Sequence, residues 1–580
     1  MNHATVAIET YPGDAPRLAA DRRLFALLWL FALALLFYRL GGPGLFEPDE
    51  GRNAEKAREI LVLKDWVIPH ENFVPVLDKP VFFYWLIAAA YGWFGVSEWV
   101  SRLPSAAAAA GCLALVYRFA CKQWGFAAAV WSVTVLATSL EFFILARVVI
   151  FDMTLTFFVT AALFCFYEAL HGPAAPRRLS LLSMYACLGA GTLVKGPIAV
   201  LIPAMVGVSY LLATKQWAKL GSLRLPLGAA IVLAIALPWY LAAEFRSPGY
   251  LRYFFWEENV ARFLTPEFDR SRPWYFFVGV LAVGFSPWVF WLPLAGPSLR
   301  RQPRDDAGLF LLSWAGAPFV FFSLSSAKLP HYILPIFPAL ALLTGKAAAE
   351  AAREGRERRW IFHLPWIFQA VTVAYLIAGW FVPEILPVYF RHGMDRLICW
   401  FAGWAAALAA LYFLFLRSTG LPAAKRPLRV WGCYAASAGL CLIVGVQIMA
   451  VVSTTRSAKP VAAEAARWLE SGRQPVLYDT YLAGLSYYLR RERPVWIVTH
   501  ERKTRTILGN FYALEERARP TTRYGDALLD FDEFKKIWEE SARPLLVIVK
   551  EKNLQRMRQQ LGPGGEVRGR VDEYVLLTRR

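Results

Sequence analysis

The run LFALLWLFALALLFYRL (Leu24–Leu40) is followed almost at once by LFEPDEGRNAEKARE (Leu45–Glu59). The first stretch has the apolar length that a hydrocarbon core of about 30 Å demands. The second packs carboxylates and cations directly behind it. Ionisable groups at the lip of a bilayer are costly to keep, so such a cluster reads as a candidate functional site. The wider composition agrees with a membrane setting. The chain has 580 residues, 57% hydrophobic and 15% aromatic, with only 18% charged, and its mean hydropathy is +0.38. That excludes an ordinary soluble protein of this length. The net charge of +19 is spread over short connectors rather than gathered in one patch, which argues against a nucleic-acid partner. All seven cysteines fall in or at the ends of apolar runs, so the long polar segments hold neither a disulfide framework nor a cysteine zinc site. Leu24–Leu40 follows Arg17, Arg22 and Arg23 and lacks a small-residue cleavage site, so it reads as an uncleaved first span.

Working outward, apolar runs near 24–41, 100–120, 125–145, 153–170, 179–195, 197–213, 225–243, 275–295, 307–325, 332–348, 360–383, 396–416 and 430–452 predict about 13 transmembrane helices. With the amino terminus in the cytoplasm, alternate connectors carry Arg118/Lys122, Arg177/Arg178, Lys215/Lys219/Arg224, Arg300/Arg301/Arg304, Arg353/Arg356/Arg358/Arg359 and Lys425/Arg426/Arg429. Basic residues concentrate on the cytoplasmic side of membrane proteins, which sets this orientation. The aromatic-rich segment Val81–Gly95 is too short to join the count without inverting every later loop. It is expected to lie in the outer interface, with Trp85, Trp93 and Trp99 at headgroup depth.

This places three polar segments outside: loop 42–99 with two juxtamembrane helices, loop 244–274, and residues 454–580. The expected division is a transmembrane domain over 1–453 and a periplasmic α/β domain over 454–580. Within the latter, strands are predicted at Pro475–Tyr478, Val495–Thr499, Leu545–Val549 and Tyr574–Thr578. Helices are predicted at Ala458–Ser471, Tyr481–Arg490, Phe531–Glu540 and Leu554–Gln560.

Candidate site residues collect at the outer face. Asp49 opens a helix, Glu50–Leu63, in which Arg52, Glu55, Lys56 and Glu59 lie three or four apart; an N-cap aspartate on an amphipathic surface helix gives the same pattern. Asp78-Lys79-Pro80 precedes the interfacial helix, where a snorkelling lysine is the plainer alternative. Asp152 stands at the mouth of a span, with Arg147 as a possible structural partner. Lys195 ends one span, and Lys328-Leu-Pro-His331-Tyr332 occupies another outer turn.

The run PDEGRNAEKARE, then Asp78-Lys79-Pro80, Arg102-Leu-Pro-Ser105, Val194-Lys195-Gly196 and Lys328-Leu-Pro-His-Tyr-Ile-Leu-Pro335 resembles the bacterial aminoarabinose-to-lipid A transferases. These belong to a wider group related to protein O-mannosyltransferases that shares the GT-C membrane fold. The resemblance covers nearly the whole chain. It implies glycosyl transfer at the periplasmic face of the bacterial inner membrane, from a polyprenyl-phosphate sugar donor to lipid A or another envelope acceptor. By motif position it implies a catalytic aspartate at Asp49, a second acid at Asp152, a phosphate contact at Lys79 and help from Lys195. The chain departs from the family pattern at Gly51 and Asn53, where Asp-Glu-Thr-Arg-Tyr is usual, and at Asp78, where glutamate is usual. Loop 244–274 contains no histidine, so an accessory divalent metal there is doubtful, and metal dependence stays open.

The residue types suit that chemistry. A leaving polyprenyl phosphate needs positioned cations, for which Lys79, Lys195, Arg52 and Arg58 are candidates. An acceptor hydroxyl needs a base, which Asp49 supplies; a lipid A phosphate arrives already anionic and needs mainly orientation. Asp152 then steadies an oxocarbenium-like centre or a substrate amine. Glu50, Asp78, Tyr84, Lys328, His331 and Tyr332 complete the expected substrate contacts. Loop 244–274, with Trp256 and Trp274, is either a cover for a lipid headgroup or a structural cap. Two alternatives stand beside this reading. One is a polyprenyl-phosphate-dependent enzyme acting on protein or another envelope glycan. The other is a lipid or sugar transporter, against which the ionisable groups collect at one face rather than the midplane.

Overall fold

The computed structural model describes residues 15–579 apart from 173, 262–271, 301–304, 387–392, 423–425, 470–471, 500–526, 541–543 and 563. The first half is a helical bundle: α1 (Ala15–Phe37), α2 (Asp49–Leu63), α3 (Phe82–Phe94), α4 (Glu98–Trp124), α5 (Phe126–Ala137), α6 (Leu140–Leu145), α7 (Phe151–His171), α8 (Ala174–Lys195), α9 (Ile198–Thr214) and α10 (Leu225–Arg246). Among the described residues, eight helices are long and apolar enough to cross a membrane: α4, α7, α10, Asp306–Leu324, Pro330–Glu354, Trp360–Phe381, Asp395–Thr419 and Arg426–Arg456. A ninth forms if Phe276–Gly284 and Trp288–Leu299, which meet at 102°, make one span.

About 13 crossings were expected, and the other apolar runs take different forms for local reasons. The run 125–145 is broken between α5 and α6. There Thr138 and Ser139 turn their hydroxyls back on the carbonyls of Thr134 and Val135, and the Leu140 N–H leaves the helix for the Ser286 carbonyl. Ile198–Thr214 is short, and α8 starts with Arg177 and Arg178 inside its first turns. The segment expected in the interface is α3. It has 13 residues and ends at Gly95 with φ +77°, a conformation that favours glycine. Trp93 is largely exposed, and the Trp85 indole donates to the Trp66 carbonyl.

Arg147 does not pair with Asp152. Its guanidinium donates to the carbonyls of Leu35, Leu36 and Tyr38. It therefore satisfies the orphan carbonyls at the carboxyl end of α1, where a cation also suits the helix dipole.

Between α2 and α3, the short antiparallel pair β1 (His70–Glu71) and β2 (Val74–Pro75) faces a six-stranded sheet. That sheet is built from β3 (Gln474–Tyr478), β4 (Trp496–Thr499), β5 (Leu528–Asp530), β6 (Leu545–Lys550), β7 (Glu566–Val571) and β8 (Tyr574–Arg579), in the order β5-β4-β3-β6-β8-β7. Strands β3 to β6 pair in parallel, and β8 lies antiparallel between β6 and β7. The continuous apolar run of β6 is buried on both faces, as parallel strands require. Its even-numbered residues Leu546 and Ile548 join Leu477, Ile497 and Leu576 in a cluster that includes Val74 and Val76 of the first outer loop. Its odd-numbered residues pack with Phe534, Trp538, Leu554 and Met557 of the two outer helices. One face of the sheet is thus seated on the loop that carries Asp49.

Candidate active site

Helix α2 is almost entirely covered. Glu50, Glu55, Lys56, Arg58 and Glu59 are all buried, so the alternative of an amphipathic surface helix gives way to a charged core element between bundle and sheet. Its N-cap position is Pro48, and no side chain caps it. Asp49 therefore does not act as an N-cap. Its carboxylate is exposed, makes no hydrogen bond among the described residues, and lies within electrostatic reach of Arg52.

Glu50 leaves the expected substrate set. It binds the Arg102 guanidinium at 2.9 and 2.7 Å and accepts the N–H groups of Val149 and Phe46 at 2.8 and 2.9 Å. Arg102 places its remaining donors on the carbonyls of Leu40, Pro43 and Gly44. Every N–H of that guanidinium is used, so the pair braces the loop that follows α1. Arg58 also leaves the set. It binds Glu55 through two 2.7 Å contacts and the Arg491 carbonyl at 2.5 Å. Helical spacing turns it away from the face of Arg52. Close by, burial and the neighbouring Glu55 push the Glu59 carboxyl up.

Arg52 remains. Its Nε donates to Glu71 at 3.0 Å, and Glu71 also accepts the Tyr481 hydroxyl at 2.7 Å. One turn on, Lys56 is wholly buried between Asp78 at 2.9 Å and Glu71 at 3.5 Å, with its ammonium 5.6 Å from the Tyr84 ring centroid. Burial alone would raise the Asp78 carboxyl, but Lys56 and Lys79 together hold it well below the usual carboxylate range. The departures from the family motif have structural work. Asn53 donates to the Val149 carbonyl at 2.8 Å and accepts the Tyr84 hydroxyl at 3.4 Å, so the outer turn before α7 is fastened onto α2.

A second group forms where α7 begins and α8 ends. Asp152 sits in the first turn of α7 and Lys195 in the last turn of α8, each at the helix end whose dipole favours its charge. They meet at 2.5 Å. His331 approaches the other Asp152 oxygen at 3.8 Å, and the Lys195 ammonium lies 5.1 Å from the Tyr332 ring centroid. Lys79 is within electrostatic reach of Asp152 and contacts Glu258 at 3.4 Å, which itself accepts the Tyr253 hydroxyl. Gly196, at φ +76°, ends α8 where an added Cβ would meet the Phe254 ring at 2.7 Å. Segment 250–261 therefore closes over this corner. Lys328, by contrast, spends its ammonium on the carbonyls of Ser325 and Arg272; it ties two turns together and does not reach Asp152.

The sequence reading did not single out Glu71, Glu258, Tyr481 or Glu47, and it named Lys56 only among the helix charges that lie three or four residues apart. Among the described residues, no group of three or more His, Cys, Asp or Glu side chains is gathered as a metal site. Lys79, Arg52 and Lys195 instead offer cations, with the His331 imidazole beside them, around the carboxylates of Asp49 and Asp152, which suits a bulky anion next to a nucleophilic or cationic partner.

The many-helix membrane bundle with an ion cluster at one end and a mixed sheet seated on it is a GT-C type membrane protein, by its likeness to a solved structure of that type. The model of the dolichyl-phosphate-mannose-protein mannosyltransferase family matches residues 78–241. An undecaprenyl phosphate-alpha-4-amino-4-deoxy-L-arabinose arabinosyl transferase of Pseudomonas aeruginosa (strain LESB58) is 36% identical over 345 residues, 58% of this chain and 61% of its own length. The chain thus spans about three fifths of that relative in the aligned region. The transferase of the same name from Pseudomonas savastanoi pv. phaseolicola is 32% identical over 421 residues, 72% of this chain and 76% of the relative. The crystal structure of ArnT from Cupriavidus metallidurans bound to undecaprenyl phosphate superposes with TM-score 0.80 at 26% identity, covering 96% of this chain and 97% of that one. The chain belongs to the undecaprenyl phosphate-aminoarabinose arabinosyl transferase family.

Proposed function

We propose that this protein moves 4-amino-4-deoxy-L-arabinose from an undecaprenyl phosphate carrier to lipid A at the periplasmic face of the inner membrane. The observation that carries the reading is the corner itself: the exposed Asp49 carboxylate beside Arg52, with Lys79, Asp152, Lys195 and His331 converging at the same end of the bundle. The amino terminus is then cytoplasmic, and residues 454–580 form a periplasmic domain above the bilayer, in line with the basic connectors on the opposite side.

In this mechanism Lys79 and Arg52 bind the carrier phosphate and stabilise the charge that gathers on it as the sugar–phosphate bond breaks. Glu258 and Glu71 hold those cations until the donor arrives. Asp49 takes the proton of an acceptor hydroxyl, or orients an acceptor phosphate, while the acceptor oxygen attacks the anomeric carbon from the opposite face and inverts it. Asp152, oriented by Lys195 and His331, faces the positive charge that develops on the sugar ring or its amine. The polar residues close around one lipid headgroup, and bound membrane lipids surround the rest.

The match of residues 78–241 to the protein mannosyltransferase model supports a second reading, with a protein acceptor. Purified enzyme given undecaprenyl phosphate-aminoarabinose and either lipid A or a Ser/Thr-rich peptide separates the two. Modified lipid A in the mass spectrum supports the first, a glycosylated peptide supports the second, and transfer to neither removes both.

A further inference from the structure

The turn that carries Asp49 is held from a direction the transfer chemistry does not itself require. Glu47 donates its backbone N–H to the Arg456 carbonyl at 2.8 Å. Its two carboxyl oxygens accept the N–H groups of Ala483 at 2.9 Å and Gly484 at 2.8 Å. The Leu45 N–H donates to the Tyr488 hydroxyl at 2.8 Å. At Gly51 an added Cβ would lie 2.7 Å from the Gly484 nitrogen and 2.9 Å from its Cα, and at Gly484 an added Cβ would lie 2.6 Å from a Glu47 oxygen. Here two glycines let backbones touch, which is the physical meaning of glycine where the family motif usually carries threonine. Farther along, Asn72 pairs with Val495 in both directions at 2.8 Å, and the Tyr481 hydroxyl fixes Glu71, the partner of Arg52.

We propose that segment 481–495 is a positioning clamp for the transfer site, acting through Glu47 on the Asp49 turn and through Tyr481 and Glu71 on Arg52. The proposal rests on the reading that Asp49 and Arg52 handle substrate. It assigns a task to the carboxy-terminal domain that fold similarity alone does not supply. The Asp49 carboxylate has no hydrogen bond among the described residues, so its direction is set by the backbone of residues 46–50. Displacing a reacting group by about 1 Å costs on the order of a hundredfold in rate.

The test uses the full chain in detergent with the undecaprenyl phosphate-aminoarabinose donor and lipid A. Glu47→Ala and Gly484→Ala lower kcat at least ~10-fold per folded molecule with donor KM near wild type. Glu47→Gln, which keeps one acceptor, falls between them and wild type. Tyr481→Phe raises donor KM more than it lowers kcat. Because Gly51→Ala and Gly484→Ala break one contact, their double variant loses less than the product of the two single losses. Amide exchange of the peptide covering 45–52 accelerates in Glu47→Ala, a readout that needs no activity. Wild-type kcat in both Glu47→Ala and Gly484→Ala overturns the clamp, as does a lower melting temperature with unchanged kcat or unchanged exchange over 45–52. A wild-type enzyme that transfers to no acceptor sinks the functional reading instead, and the exchange experiment then decides the clamp by itself.

Discussion

Lys56→Met isolates the least expected member of the site. The Lys56 side chain is fully buried and holds Asp78 at 2.9 Å and Glu71 at 3.5 Å. Methionine fills much the same volume but removes the cation and leaves two carboxylates facing each other. Breaking a buried ion pair by deleting one partner costs about 3–5 kcal/mol. Arg52 stays on Glu71 and Lys79 stays beside Asp78, so the low end, about 3 kcal/mol, applies here. Each 1.4 kcal/mol is tenfold, so inactivation accelerates by about a hundredfold if the whole loss falls on the unfolding barrier. The assay is the half-life of transfer activity in detergent at one fixed temperature, together with donor KM, which rises as Lys79 is drawn onto Asp78. Adding Asp78→Asn removes the orphaned charge and returns more than half of the lost stability. The acid limb moves as well. In the wild type the depressed Asp78 carboxyl contributes stability that is present above its ordinary value near 3.8 and is lost only as pH falls through its lower folded value. Without Lys56 that loss begins at higher pH. A single variant as durable as wild type, or a double variant no better than the single, refutes the role given to Lys56.

Asp49→Asn lowers turnover by about 10²–10⁴-fold and leaves thermal stability within about 0.5 kcal/mol, because the group is exposed and bonded to nothing described; activity and melting measured on one preparation check this. Arg58→Ala leaves donor KM at the wild-type value but destabilises by about 3 kcal/mol, since Glu55 is left buried and unpaired; a raised KM with normal stability would return Arg58 to the phosphate site. Burial pushes the Glu47 carboxyl up to about 8 from an ordinary value of 4.5, against the amides of Gly484 and Ala483 and against Arg52, with Glu71 adding to the rise and Tyr574 also near. The protonated group therefore contributes stability that is complete below about 4.5 and is lost as pH rises through about 8. Transfer should weaken on the alkaline side, and Glu47→Gln, which cannot ionise, should flatten that decline; identical pH profiles would count against it.

The bundle was legible wherever composition alone decides. Each of the eight helices long enough to span falls on an apolar run read from the sequence, because apolar length is a local property. What escaped is tertiary. Nothing near Thr138 announces a break, since its cause includes a carbonyl at Ser286, far along the chain. The strands of the sheet announce themselves by β-branched runs, as in Leu545–Val549. The two edge strands do not: Glu566–Val571 is mostly half-exposed, and Leu528–Asp530 is only three residues long. Of the site, the corner of Asp152, Lys195, His331 and Tyr332 was accessible because helix ends advertise their charges. The roles of Arg147 and Lys328 were not, because both guanidinium and ammonium are spent on carbonyls, which leave no mark in a sequence.

Helix α2 carries the general lesson. Seven of its first eleven residues are ionisable, and local reasoning assigns such a helix to solvent. It is buried because most of its partners come from elsewhere: Arg102 for Glu50, Asp78 and Glu71 for Lys56, the Phe73 N–H for Glu59 and the Arg491 carbonyl for Arg58, whose charge partner Glu55 lies on the same helix. Each buried charge finds a partner, and the one exposed carboxylate is Asp49. Within this charged helix the side chain that is both exposed and without a described hydrogen bond is Asp49, at the edge of the corner that holds Arg52 and Lys79, which is the geometry behind the role proposed for it. Burying so much charge is costly unless the geometry is good, and here the geometry needs both the bundle and the sheet. That dependence fits the contacts of the carboxy-terminal segment with the turn before α2 at Glu47 and with α2 itself at Gly51 and Arg58.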